Sequence, residues 1–162
     1  MATRPEAPSL TPETQRQVAV ELFNLTWALL DSAERTLDQD DRMLHAAHAS
    51  RFHWGEAGEQ LNLARGEWQC SRVYAVLGRA EPALYHARRC LELCEANGIG
   101  DFDRAFSWEA LARAQVVAGD LPEATRSLAR ARELAEAIVE DEDREIVVAD
   151  LADLDVRLAP AG

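Results

Sequence analysis

Two arginines flank a tryptophan near the middle of the chain, as Arg65, Trp68 and Arg72. In a helix these positions share one face, because residues three, four and seven apart are neighbours on its surface. Two planar guanidinium groups beside an indole can bind a carboxylate and stack on an apolar group. This face predicts an anionic ligand, such as an acidic peptide or a chain terminus. The alternative is an ordinary solvated face, on which the arginines pair with acids such as Glu67 and Glu109.

Histidines form a second candidate site. His45 and His48 are three residues apart and can face one side of a helix, which is the minimum for a transition-metal or proton-transfer site. The alternatives are a solvated surface for these two and a packed, hydrogen-bonded role for His53. Trp54 is expected to lie near Trp68, because the second predicted helix ends where the third begins. An aromatic pocket lined by Trp54 and Trp68, beside His53 and Arg65, is therefore a secondary candidate.

The three cysteines are Cys70, Cys90 and Cys94. Cys90 and Cys94 share a helix face with His86, but two thiolates and one imidazole still lack a fourth zinc ligand. Their apolar, helical context favours buried, reduced thiols over a metal site. We expect neither a metal nor a cofactor.

The overall charge argues against two classes of partner. The 162 residues include 29 acidic and 17 basic side chains, which give a formal net charge of -12. Such a field repels nucleic-acid phosphates and anionic lipid headgroups. Every basic residue is arginine, so Schiff-base chemistry and the lysine of a phosphate-binding loop are excluded. With no signal-peptide pattern and no apolar run of about 20 residues, the sequence predicts a cytoplasmic protein.

Helix signals recur along most of the chain. We expect a flexible leader at residues 1–11, a helical domain at 12–158 and a short tail at 159–162. The first helix should begin at Pro12, end near Leu37 and be followed by the stop Asp38–Asp40. The remaining predicted helices run from Asp41 to about Trp54, from an Asn62 cap to about Leu77, from about Pro82 to Asn97, from Asp101 or Asp103 to Gly119, from about Pro122, and from Asp143 to Leu158.

The helical pairs repeat with a period of about 40 residues. In this register Met43, Ala83 and Ala124 superpose, as do Asp38, Gly78 and Gly119. The segment from Trp108 to Ala131 reads W-x2-L-A-x2-Q-x3-G-D-x3-A-x3-L-x2-A and resembles a tetratricopeptide repeat. This resemblance implies an all-α fold, in which three antiparallel α-hairpins and a C-terminal capping helix form a right-handed superhelical array of about seven helices.

The resemblance also implies a concave groove lined by the first helix of each hairpin. Carried onto this sequence, the groove positions are Ser32, Arg35, Arg65, Trp68, Arg72, Phe106, Glu109 and Arg113. Lys and Asn of the family's carboxylate clamp are missing at these positions, so the clamp is not carried over. We expect a non-enzymatic module that binds a protein or peptide partner, including acidic segments, and a homodimer is a further option. The alternative is a small-molecule or metal-binding protein, or an enzyme, with its site around His45, His48, His53 and Trp54.

Overall fold

The computed structural model describes residues 5–6 and 9–159, and within this part of the chain all regular structure is helical. The seven helices are α1 (Pro12–Leu30), α2 (Leu37–Ala57), α3 (Gln60–Val76), α4 (Ala80–Ala96), α5 (Asp101–Ala118), α6 (Leu121–Glu136) and α7 (Asp141–Leu158). The predicted all-α class is confirmed. Residues 1–4 and 7–8 of the predicted leader and residues 160–162 of the predicted tail lie outside the described residues.

Consecutive helices pack as hairpins, α1 with α2, α3 with α4 and α5 with α6, and α7 packs on α5 and α6. The odd-numbered helices also contact one another in the order α1, α3, α5, α7. Helix α2 therefore lies against both α1 and α3, and α4 lies against both α3 and α5. The contact pattern leaves the odd-numbered helices as one continuous layer, and this layer carries the candidate site.

Small side chains allow the helices to approach closely. Ala83 and Ala124, which superpose in the 40-residue register, are completely buried, and so is the larger Met43 at the equivalent position of α2. Ala87 and Ala131 are equally inaccessible. Because an alanine buries no polar group and costs no side-chain entropy, these positions suit both helix formation and tight packing. The burial pattern agrees with the period read from the sequence.

The first hairpin differs from its predicted boundaries. Helix α1 ends at Leu30 rather than near Leu37, and Asp38 lies inside α2 instead of ending the first helix. Thr36 caps α2: its hydroxyl accepts from the backbone of Gln39, whose side chain accepts in return from the backbone N–H of Thr36. This capping box satisfies two amide groups that the helix start leaves unpaired, and so it outweighs the acidic residues as a boundary signal.

The junction between α2 and α3 also differs from expectation. Helix α2 continues through Gly55, and Gly58 ends it. Glu59, not Asn62, is the cap residue of α3; the side-chain Oδ1 of Asn62 accepts a hydrogen bond of 2.9 Å from the Glu59 backbone N–H. The later turns follow the prediction, with Gly119 in the left-handed region, φ 79°, directly after α5.

A helix that crosses a bilayer must be long and predominantly apolar. Among the described residues, none of the helices combines the length and apolar character that a bilayer span requires.

Candidate functional site: an aromatic pocket on the odd-numbered helices

A cavity of about 470 Å³ opens where α1, α3, α5 and α7 meet. Five aromatic side chains line it: Phe23, Trp27, Trp68, Phe102 and Phe106. Its other lining residues are Asp31, Ala64, Arg65, Arg72, Cys90, Asp103, Ile146 and Asp150. The pocket is therefore an apolar recess with charged groups around it.

The aromatic rings form a continuous wall. The ring centroids of Trp27 and Trp68 are 5.4 Å apart, and Phe106 meets Trp68 edge-on at 5.5 Å. Phe102 contacts Phe106 at 4.8 Å, and Phe23 contacts Trp27 at 6.4 Å. Edge-to-face and tilted pairs at these distances are favourable, so the wall is held by its own ring contacts.

Trp68 therefore packs differently from the sequence prediction. Its ring partners are Trp27 and Phe106, whereas Trp54 has no ring contact among the described residues. Trp54 lies instead at the end of α2, where its ring and carbonyl oxygen crowd Gly58. The two tryptophans share no ring contact within the described residues: α2 extends to Ala57, and Trp68 lies more than two turns into α3.

Glu109 lies beneath the aromatic wall with a fully buried carboxylate. The indole N–H of Trp68 donates to its Oε2 at 3.2 Å, and Nη1 of Arg72 donates to its Oε1 at 3.2 Å. Nε of Arg113 donates to the same Oε1 at 2.7 Å. These bonds fix the orientation of Trp68. The guanidinium carbon of Arg72 lies over the Trp68 ring, 5.8 Å from the ring centroid. Glu109 and Arg113 thus support the pocket from behind rather than line it.

The arginines that the sequence offered for an anionic ligand already have carboxylate partners. Arg65 donates twice to Asp103, at 2.7 and 3.0 Å, and this pairing raises the pKa of its guanidinium. Arg72 adds a contact of 3.6 Å with Asp150 to its bond with Glu109. An acidic ligand would therefore have to displace a carboxylate of the protein itself.

The ion-pair network continues onto the surface of α7. Arg113 donates at 2.9 Å to Asp153, which also accepts from Arg157. The hydrogen bond from Arg113 lowers the pKa of the Asp153 carboxyl.

Two predicted groove positions lie elsewhere. Ser32 and Arg35 are in the loop between α1 and α2, because α1 ends five residues before Arg35. Arg35 donates to Asp40 at 2.7 Å and to the carbonyl oxygens of Leu29 and Ser32, so it organises this loop. It does not line the pocket.

Several lining residues were missed by the sequence reasoning. Phe23, Trp27 and Asp31 are spaced by four residues and share one face of α1. Ile146 and Asp150 have the same spacing on α7. This spacing was visible in the sequence, but only tertiary packing brings the two helices to the same recess.

The predicted histidine site is divided between separate contacts. His48 Nε2 and Tyr74 Oη are hydrogen-bonded at 2.9 Å, and the Tyr74 ring stacks on His86. His53 is instead hydrogen-bonded to Gln15 on α1, and His45 is exposed. His45, His48, His53 and Trp54 therefore do not converge on one point.

Glu67 joins this histidine cluster from α3. It accepts from His86 at 2.6 Å and from Arg51 at 2.8 Å. Burial alone would raise the pKa of its carboxyl, but these donors outweigh burial and the pKa lies below its ordinary value. Within the described residues, no group of three or more His, Cys, Asp or Glu side chains has an arrangement that could hold a metal ion.

The cysteines are buried and free, as predicted. The aromatic pocket offers space for a ligand between the odd-numbered helices. No family model matches the sequence, and neither does any curated protein or solved structure with which it was compared. The function of the chain is therefore inferred from the pocket.

Proposed function

We propose that this chain is a non-enzymatic, tetratricopeptide-like binding module that takes a large apolar side chain of a partner protein segment into the aromatic pocket. The observation that carries this proposal is the recess of about 470 Å³ with its five aromatic lining residues. Ligand pockets typically enclose about 300–1,000 Å³ and are mainly apolar with a few polar groups. Buried aromatic residues also dominate the binding energy of protein interfaces.

Support for binding rather than catalysis comes from the titratable groups of the pocket. Arg65 and Asp103 neutralise each other, and Arg72 is held by Glu109 and Asp150. The lining thiol, Cys90, interacts with Cys94 and is buried, which together raise its pKa well above the ordinary value. A thiol with such a pKa is a poor nucleophile, because the thiolate is the reactive form.

The proposal is tested by selecting ligands from a displayed peptide library and measuring their affinity for two variants. Selected peptides should share a Trp, Phe or Leu anchor. Phe23→Ala removes a half-buried wall of the pocket, and we expect it to weaken binding by about tenfold or more, as the loss of a large apolar contact does. Tryptophan emission should report binding directly, since Trp27 and Trp68 line the recess.

Phe52→Ala is the matched control. Phe52 is 49% exposed on α2 and is absent from the pocket lining, so its loss should leave peptide affinity unchanged. Circular dichroism establishes that both variants remain folded. Peptides without an apolar anchor, or equal affinity losses in Phe23→Ala and Phe52→Ala, would contradict the proposal.

A further inference from the structure

The charges around the pocket do not balance. Two guanidinium groups and three carboxylates line it. The guanidinium groups belong to Arg65 and Arg72, and the carboxylates belong to Asp31, Asp103 and Asp150. All but Asp31 take part in the ion pairs described above. The excess charge is therefore negative and is located at one residue.

Asp31 lies at the C-terminal end of α1, is exposed, and lines the pocket. Among the described residues, its carboxylate has neither a hydrogen bond nor an ion pair. The nearest cation along the chain, Arg35, is engaged by Asp40 and by loop carbonyl oxygens. Asp31 is thus a carboxylate at the rim of an aromatic recess with no partner of its own.

Trp27 lies one helical turn before Asp31, on the same face of α1. The face of an indole attracts a cation through its quadrupole, and a carboxylate beside it adds a direct charge interaction. Arg72 and Arg65 do not oppose this locally, because Glu109, Asp150 and Asp103 compensate their charges. The net charge of -12 for the whole chain favours the approach of a cation as well.

We propose that the pocket selects a protein segment in which Lys or Arg lies next to the apolar anchor, with the cationic group at Asp31 and the anchor against the aromatic wall. This inference rests on the proposed function and specifies the charge of its ligand. It reverses the acidic ligand expected from Arg65 and Arg72. An anionic group would have to break the two hydrogen bonds between Arg65 and Asp103 or separate Arg72 from its acids.

Three probes with the same carbon skeleton test the proposal: 3-phenylpropan-1-amine, 3-phenylpropan-1-ol and 3-phenylpropanoate. Binding to the full chain is followed by tryptophan emission, because Trp27 and Trp68 line the recess. We expect the amine to bind about fivefold more tightly than the alcohol, which is the gain in affinity expected from a single ion pair screened by solvent. The carboxylate should bind more weakly than the alcohol.

Asp31→Asn should reduce the preference for the amine over the alcohol to less than about twofold. Asp38→Asn removes the same charge from an exposed position of α2 outside the pocket, and it should preserve the preference. If the alcohol binds and the amine binds no more tightly, the charge assignment is wrong while the proposed function stands. If none of the probes binds, the apolar pocket itself is not a binding site and both proposals fail. An equal loss in both aspartate variants would assign the preference to net charge and overturn the role of Asp31.

Discussion

Replacing Glu109 by glutamine isolates the buried carboxylate beneath the pocket. Glu109 is fully buried and accepts from Trp68, Arg72 and Arg113. Removing one partner from a buried ion pair typically costs about 3–5 kcal/mol, because the remaining charge is left uncompensated. Arg72 and Arg113 retain aspartate partners on α7, so we expect a loss near the lower end, about 3 kcal/mol.

The free energy of unfolding is measured by urea denaturation of the wild type and of Glu109→Gln. Glu133→Gln is the control, because Glu133 is 66% exposed in its ion pair with Arg130 and should contribute less than about 0.5 kcal/mol. Glu109→Gln should also shift the emission of Trp68, whose indole loses a carboxylate acceptor. A stability loss no larger than that of the control, below about 0.5 kcal/mol, would refute the assigned role of the buried carboxylate.

Three further predictions concern other parts of the chain. Burial lowers the pKa of His48 below its ordinary 6.5, so the unfolded chain binds this proton at higher pH than the folded chain does, and stability should fall as the pH drops below about 6.5. His48→Gln should reduce the difference between the denaturation midpoints measured at about pH 7.5 and about pH 5.5. An unchanged difference would exclude this contribution of His48. Gly58→Ala should lower the free energy of unfolding by about 1–3 kcal/mol, because its Cβ would lie 2.7 Å from the Trp54 carbonyl oxygen. Gly55→Ala is the control: its Cβ meets only the end of an arginine side chain, so the free energy of unfolding should be unchanged or higher. Equal effects of the two substitutions in urea or thermal unfolding would disprove the steric explanation. Burial raises the pKa of Cys70 to about 12, so iodoacetamide should label this thiol far more slowly in the folded chain than in the chain unfolded by urea. Equal labelling rates in the two states would contradict the burial of Cys70.

Local sequence signals account for most of the helix boundaries. A left-handed glycine ends α5 at Gly119, and a proline in the first turn begins α6 at Leu121, as the residue types predict. The error at the first hairpin has a local cause too, since the capping box of Thr36 and Gln39 was present in the sequence. Asp38 and Asp40 do not stop a helix as the sequence analysis predicts: they lie in the first turn of α2, where carboxylates stabilise a helix start.

Ion pairs between helices could not be predicted from such local signals. Arg65 and Asp103 are 38 residues apart, and Trp68 and Glu109 are 41 apart. A helical face identifies Arg65 and Arg72 as neighbours, but it does not reveal which acids the next helix brings against them. The sequence left both an anionic ligand and pairing with acids such as Glu109 open, and in the structure Arg72 does pair with Glu109.

The sequence by itself determined the helical class, the 40-residue period and the small buried positions, because these depend on side-chain spacing within single helices and hairpins. Only the tertiary structure decided that Phe23, Trp27 and Asp31 share a recess with Trp68 and Phe106. The physical reason is that a ligand site on stacked helices is built from residues that lie about 40 positions apart in the chain. The packing of one helix on the next therefore sets both the shape of the cavity and the balance of its charges.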